Sequence, residues 1–158
     1  RSRLVLRLDS ERISEVLQLA GKELVLGDDR LRVGVPETRA LPSAASLHSR
    51  LVVIKGFTEP EPFLEAVHRQ LDSLAIRGKP ALMPRRAPKS FEGRTRNEPE
   101  RSSALRRTLK IRNKEVVGYA VMVSELNAEE SISLQESGLG GRRRFGCGLF
   151  VPVGRHTS

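Results

Sequence analysis

The order of apolar patterns over residues 48–152 is the feature that most constrains the fold of this chain. Leu51, Val52, Val53 and Ile54 form a continuous apolar run of the kind found in buried central strands. Apolar residues at helical spacing follow over 59–74, with prolines confined to the entry, and they predict a helix. A central strand is thus followed by a helix that has one apolar face to bury.

The second half of this segment repeats the change from strand to helix. Two strands are predicted at 105–112 and 115–124, and 81–83 predicts a further short strand. Asn127, with Glu130 three residues later, predicts a capping box at the start of a second helix. A last strand is predicted at 145–152. Residues 47–153 therefore read as an α+β domain with the ferredoxin-like order βαββαβ.

Residues 1–46 have a separate organisation. The sequence predicts a strand at 4–8, a short helix that Asp9 or Ser10 caps, and a hairpin over 24–35 with its turn at Gly27. Residues 36–46 read as a linker. Because residue 1 is Arg and a strand begins almost at once, we expect the chain to be a fragment whose first 46 residues are part of a second ferredoxin-like domain.

A glycine loop lies between the second helix and the last strand. It contains five glycines in eleven residues and three consecutive arginines: Gly138, Gly140, Gly141, Gly146 and Gly148, with Arg142, Arg143 and Arg144. Glycine allows backbone amides to approach a ligand closely, and guanidinium groups suit phosphate. Neither feature is specific alone, but together they favour RNA as the ligand. Lys55 and Lys110 are further candidate RNA contacts.

The spacing of this loop is similar to that of the repeat-associated (RAMP) superfamily of CRISPR proteins. Residues 49–63, which read SRLVVIKGFTEPEPF, together with 109–111 and 115–119, resemble the CRISPR-associated repeat-processing endoribonucleases, the sixth Cas protein of the MYXAN subtype. The resemblance covers residues 1–152 and implies a protein that lacks its N-terminal part.

The resemblance implies cleavage of precursor CRISPR RNA without a metal ion or other cofactor, and continued binding of the product. It implies CRISPR repeat RNA as the partner, together with other Cas subunits of a type I effector complex. It also implies a catalytic histidine in an early region of the first domain, which no residue here matches. We therefore expect RNA binding to be kept and the main catalytic group to be missing.

Composition agrees with a polyanionic partner. The formal net charge is +9, and there is no apolar run long enough to span a bilayer and no signal peptide, so the sequence favours a cytoplasmic protein without a membrane partner. With five Phe, one Tyr and no Trp, base stacking across an open sheet is not favoured. No metal-ligand cluster and no nucleotide-binding motif is present. The single Cys147 reads as a small packing residue.

Residues 84–104 carry many basic residues, three prolines and few apolar residues, and predict a flexible insertion. It is either a solvated loop or an arm that orders on RNA. Residues 154–158 read as a tail.

Metal-free RNA cleavage needs a base, an acid and donors for the developing charge. The chain has three histidines. His68 reads as a surface residue of the first long helix, and His156 falls in the tail. His48, just before the central strand, is the candidate base, although a plain strand-entry role explains it as well. A non-catalytic RNA-binding subunit of the same superfamily, or another basic protein that binds structured RNA, stays open as an alternative.

Overall fold

A computed structural model describes residues 5–84, 104, 106–111 and 114–154. The chain divides into two compact units, Arg1–Ala40 and Leu41–Ser158. The second unit thus begins within the predicted linker. No helix in the described ranges is long and apolar enough to cross a membrane.

The first unit contains one short helix and one hairpin. A 3-10 turn at Ser10–Arg12 leads into α1 (Ile13–Leu17). Strands β1 (Glu23–Leu26) and β2 (Asp29–Arg32) pair antiparallel, with Leu26 opposite Asp29. The predicted helix and hairpin are therefore confirmed, and Asp9 occupies the N-cap position, although its side chain makes no capping hydrogen bond.

The strand predicted at 4–8 is wrong for the residues that the structure describes. Residues 5–9 have no regular secondary structure. A strand is stable only when its amides and carbonyls pair with a neighbour. Among the described residues the small sheet of this unit consists of β1 and β2, which pair with each other, and it does not include residues 5–8.

The second unit is built on an antiparallel sheet. Its strands follow the order β4-β6-β3-β7, and β5 also pairs with β6. The strands are β3 (Leu47–Val52), β4 (Lys79–Leu82), β5 (Arg106–Ile111), β6 (Lys114–Ser124) and β7 (Val151–Pro152). Helix α2 (Pro60–Ser73) follows β3, and α3 (Ala128–Ser137) follows β6. This is the ferredoxin-like arrangement that the sequence predicts.

Strands β4 and β5 form two successive stretches along one edge of β6. Strand β4 pairs with its C-terminal part, where Leu82 lies opposite Val121, and β5 pairs with its N-terminal part, where Arg106 lies opposite Tyr119. An isolated bridge joins Pro84 to Ala104. The predicted insertion therefore leaves and re-enters the sheet at neighbouring points, while its residues 85–103 lie outside the described ranges, as do residues 155–158 of the tail.

The hydrophobic core lies between one face of the sheet and the helices. Leu47 and Val52 of β3 and Val121 and Val123 of β6 have no exposed surface. The buried face of α2 completes this core with Phe63, Val67 and Leu71. Burial of each such side chain stabilises the fold by roughly 1.5–3 kcal/mol. The opposite face of the sheet carries the alternate residues of the strands, His48 among them.

Helix α3 begins with the predicted capping box. The Glu130 amide donates to Asn127 Oδ1 at 2.9 Å, and the Asn127 amide donates to Glu130 Oε2 at 3.0 Å. The Arg77 amide also donates to Glu130 Oε1, at 2.7 Å. These backbone amides, Arg77 first, lower the pKa of Glu130. The stabilisation is therefore present above the unfolded-state pKa of a glutamate and is lost as the pH falls through the lowered pKa.

Candidate nucleic-acid interface

The glycine loop (residues 138–148) follows the outer edge of β3. The Gly148 amide donates to the Leu51 carbonyl at 2.7 Å, and the Gly141 amide donates to the Val53 carbonyl at 2.8 Å. The Leu139 amide donates to the Gly148 carbonyl at 3.1 Å, which joins the two ends of the loop. The loop therefore occupies the edge of β3 ahead of β7, and this is why β7 is much shorter than the predicted strand at 145–152.

This close approach requires glycine at particular positions of the loop. Gly140 and Gly148 have φ values of +72° and +68°, in the left-handed region that favours glycine. A Cβ on Gly140 would overlap the Val53 carbonyl oxygen, and a Cβ on Gly148 would overlap the Leu139 carbonyl oxygen. The spacing of these glycines therefore reflects how tightly the loop packs on itself and on β3.

Gln70 holds the loop from the helix side. Its Oε1 accepts a hydrogen bond from the Gly140 amide at 2.7 Å, in a half-buried position on α2. Sequence reasoning missed this residue. The sequence feature that could have identified Gln70 is its position: it is a polar residue next to Val67 and Leu71, on the otherwise apolar face of α2 that packs on the core. A half-buried amide at such a position favours a fixed hydrogen-bond partner.

The arginines form a separate feature, which we call the arginine turn (residues 142–146). A 3-10 turn at Arg143–Phe145 lies between Arg142, with φ +63°, and Gly146, with φ +78°. The Phe145 and Gly146 amides donate to the Arg142 and Arg143 carbonyls, each at 2.9 Å. Arg142 adopts a left-handed conformation that costs a non-glycine residue roughly 1–2 kcal/mol.

The arginine side chains of this turn face solvent without an acidic partner. Arg142, Arg143 and Arg144 are exposed, and no carboxylate of the described residues lies within ion-pair distance of them. Arg143 Nε makes a long contact, 3.4 Å, with the Gly140 carbonyl. By contrast, Arg12, Arg30, Arg39 and Lys79 each pair with a glutamate. The turn therefore presents three guanidinium groups to an external anion.

The amides of the loop glycines have a different role from the expected one. Each of the five glycines donates its amide within the fold: Gly138 to Leu134 O, Gly140 to Gln70, Gly141 to Val53 O, Gly146 to Arg143 O and Gly148 to Leu51 O. An amide has one proton to donate, so these groups are already satisfied. In this fold the glycines shape the loop, and the arginine side chains remain as donors for a ligand. That the glycines lie on the RNA-binding surface stays a prediction.

His48 lies on the face of the sheet opposite the helices. Its backbone pairs with Met122 on one side and Val151 on the other. The side chain is half-buried, and Nδ1 is buried without a hydrogen-bond partner. His48 precedes Leu51, the nearest point at which the loop contacts β3, by three residues, roughly 10 Å along an extended strand. His68 is exposed on α2, as predicted, and His156 lies outside the described residues.

The two candidate lysines lie at different distances from the arginine turn. Lys55 is exposed and follows Val53, which accepts from the loop, by two residues. Lys110 is exposed on β5 and lies opposite Glu115 on β6. Because β6 and β3 separate β5 from the loop, Lys110 is on the order of 15 Å away across the strands. The structure thus brings Lys55 towards the arginine turn and leaves Lys110 apart from it.

Cys147 fills a buried position between two glycines of the loop. It is 1% exposed. Burial raises the pKa of its thiol, and the charge of Arg142 opposes that shift only in part. The thiol therefore stays protonated near neutral pH, which agrees with a packing role. Among the residues that the structure describes, no group of three His, Cys, Asp or Glu side chains could hold a metal ion.

Comparison with known proteins finds a family model and a relative that the chain resembles. Residues 1–155 match the family model described as Cas6 Crispr. The chain is also similar to the CRISPR-associated endonuclease Cas6 of Myxococcus xanthus (strain DK1622), with 34% identity over 155 residues. That alignment covers 98% of the chain and 58% of the relative, so the chain spans less than two thirds of the relative's length.

A glycine-to-alanine pair tests the account of the loop. We expect Gly148→Ala to lower the free energy of unfolding by more than about 2 kcal/mol, because the left-handed φ alone costs about 1–2 kcal/mol and the Cβ meets backbone. Gly141→Ala should change it by less than about 0.5 kcal/mol, since φ is not left-handed and the Cβ has no atom closer than 3.9 Å. Urea unfolding of both variants measures this, and equal effects would contradict the packing described.

Proposed function

Because the chain belongs to the Cas6 family of CRISPR-associated proteins, we propose that it binds the repeat RNA of CRISPR transcripts through its arginine turn. Binding of this kind would hold the transcript for cleavage into guide RNA. The observation that carries the proposal is the set of three consecutive, exposed arginines without carboxylate partners, on a loop fixed to the edge of β3. Lys55, two residues after the Val53 carbonyl that accepts from Gly141, adds a positive charge near this loop.

The chemistry of the turn suits an RNA backbone. A guanidinium group is always charged and can donate two parallel hydrogen bonds to one phosphate. A structured RNA presents successive phosphates on a defined surface, and proteins recognise it largely by shape and backbone contacts. Adjacent arginines on a short, hydrogen-bonded turn match such a row of anions. The formal net charge of +9 adds attraction at long range.

Cleavage is a separate step that needs a general base, and the surroundings of His48 do not orient its ring for this role. A general base is normally oriented by a hydrogen bond at its second ring nitrogen. His48 Nδ1 is buried and has no such partner among the described residues. This observation favours the second candidate function, in which the chain is an RNA-holding part that lacks a general base of its own. Metal-independent chemistry, proposed for the family, would then depend on groups other than His48.

The salt dependence of binding tests the role of the arginine turn. We expect the triple variant Arg142→Gln, Arg143→Gln, Arg144→Gln to bind a cognate repeat hairpin about 10- to 1,000-fold more weakly at low salt. The slope of the logarithm of the binding constant against the logarithm of the salt concentration should become shallower by about 2–3. Each phosphate contact that is lost means that about one counterion fewer is released when the protein binds. Fluorescence anisotropy at several salt concentrations measures both quantities.

A matched control removes the same charge elsewhere. Changing Arg12, Arg30 and Arg39 to Gln takes the formal net charge from +9 to +6, as the first triple variant does, but at residues that pair with glutamates. We expect this control to keep most of the affinity and slope. Equal losses in the two variants would mean that net charge alone attracts RNA, and the proposal would fail.

The backbone of Arg142 gives a second prediction. Arg142→Gly should raise the free energy of unfolding by up to about 1 kcal/mol, because glycine adopts the left-handed conformation without the cost that arginine has. The same variant should weaken RNA binding. Arg144→Gly, at a residue without positive φ, should weaken binding without the gain in stability. Thermal unfolding and anisotropy measure these effects, and a less stable Arg142→Gly variant would contradict the conformation assigned.

Incubation with labelled repeat RNA in EDTA tests the catalytic assignment. We expect the chain to shift the RNA in a gel and to leave it uncut, because no described residue hydrogen-bonds to Nδ1 of His48 to orient its ring. Cleavage by this chain that His48→Ala abolishes would contradict this and place the base on β3. The triple arginine variant serves as the binding control.

A further inference from the structure

Phe145 is a large apolar side chain that the fold leaves in solvent. It closes the 3-10 turn and is 55% exposed. Among the described residues the other aromatic side chains are buried or partly buried: Phe63 and Phe150 are 0% exposed, Tyr119 is 2% exposed, and Phe57 is half-buried beneath Arg69. Phe145 is therefore the one aromatic in the described ranges whose ring faces mainly water.

The fold does not account for an aromatic ring at this position. The hydrogen bond that Phe145 makes in the turn comes from its backbone amide, which donates to the Arg142 carbonyl at 2.9 Å. Phe145 takes no part in the ring contacts of Phe63 with Tyr119 and of Arg69 with Phe57. A polar residue would serve the turn equally well and would be better solvated.

The surroundings of the ring indicate the kind of ligand. Three exposed arginines immediately precede Phe145, and Gly146 follows it in a left-handed conformation. A ligand that satisfies both features must carry anionic groups and a flat apolar face within a few ångströms of each other. Nucleotides combine these, since a phosphate and a base belong to the same unit, and aromatic side chains stack on any base.

We propose that Phe145 binds RNA by stacking on the exposed face of one nucleobase, next to the phosphates that the arginine turn holds. This inference rests on the proposed function and deepens it. Phosphate contacts fix position without reading bases. A single stacking residue would set where along the RNA the loop engages, by preferring a site at which a base is unpaired or a helix ends. The sheet itself has no comparable group, because the Tyr119 side chain belongs to the core.

The proposal separates ring chemistry from apolar burial. Phe145→Leu keeps an apolar side chain of similar size and removes the ring, whereas Phe145→Tyr keeps the ring. We expect Phe145→Leu to bind the repeat hairpin about 5- to 100-fold more weakly, in line with the usual contribution of one stacked base. Phe145→Tyr should bind like the unchanged chain. The salt slope should be the same for all three, because no charge is altered.

The measurement uses 2-aminopurine placed at single positions of the hairpin and its flanks. Binding of the unchanged chain and of Phe145→Tyr should quench the probe at one position, and Phe145→Leu should abolish that quenching. Thermal unfolding of each variant confirms that it is folded. If Phe145→Leu is destabilised, Phe145→Met takes its place as the variant without a ring and is compared with Phe145→Tyr. Quenching at an unpaired position would show that Phe145 stacks on an unpaired base. Quenching at the terminal pair would show that it stacks on the end of the helix.

Two results would overturn the inference without touching the proposed function. One is that Phe145→Leu binds RNA as tightly as the unchanged chain while the triple arginine variant loses affinity and slope. The other is that Phe145→Leu alters only binding to anionic lipid vesicles. If the unchanged chain and the triple arginine variant bind RNA equally, the proposed function itself fails.

Discussion

The candidate interface depends on one contact, the docking of the glycine loop on the outer edge of β3. Two main-chain hydrogen bonds, from Gly148 to Leu51 and from Gly141 to Val53, take the place that a longer β7 would occupy. An edge strand offers unpaired backbone groups, and here the loop satisfies some of them. Because the loop is fixed at both ends, the residues between its ends must project from the sheet. The arginine turn is that projection.

This contact explains why glycines flank a run of three arginines within so short a segment. Gly140 and Gly148 let backbone lie directly against backbone, and Gln70 fastens the same stretch to α2. The turn that follows then holds Arg142 in a left-handed conformation that a less constrained loop would avoid. Left-handed conformations of non-glycine residues persist where the surrounding structure holds them, and they often lie at ligand-binding sites. A loop backbone that is already fixed also loses less conformational entropy on binding than a free loop would.

Much of the architecture follows from local signals. The capping box of Asn127 and Glu130, the apolar face of α2 and the hairpin at Gly27 all act within a few residues, and the structure confirms each of them. The strand predicted at 4–8 fails because strands depend on partners that lie elsewhere. Gln70 and Gly140 are seventy positions apart, so no local pattern joins them. Likewise, β4 and β5 lie on one edge of β6 although an insertion separates them in the sequence. The periodicity of each strand does not show that they share this edge.

The arginines were visible as a charged run, but the role of the glycines was not. Sequence reasoning assigned their amides to a ligand, whereas the fold uses all five. A glycine pattern shows that the backbone comes close to something, and only the fold shows that the close partner is β3 and the loop itself. For this reason the candidate site is best described as guanidinium groups carried on a glycine scaffold.

Amide hydrogen exchange of the chain with and without a repeat hairpin tests this description most directly. The account predicts that the amides of Gly140, Gly141 and Gly148 are protected before RNA is added, and that the protection gained with RNA is concentrated at residues 142–145. Rapid exchange of the glycine amides in the free chain would contradict the docked loop. Protection gained on β5 or α2, with none at the arginine turn, would contradict the assignment of the turn as the RNA-binding surface.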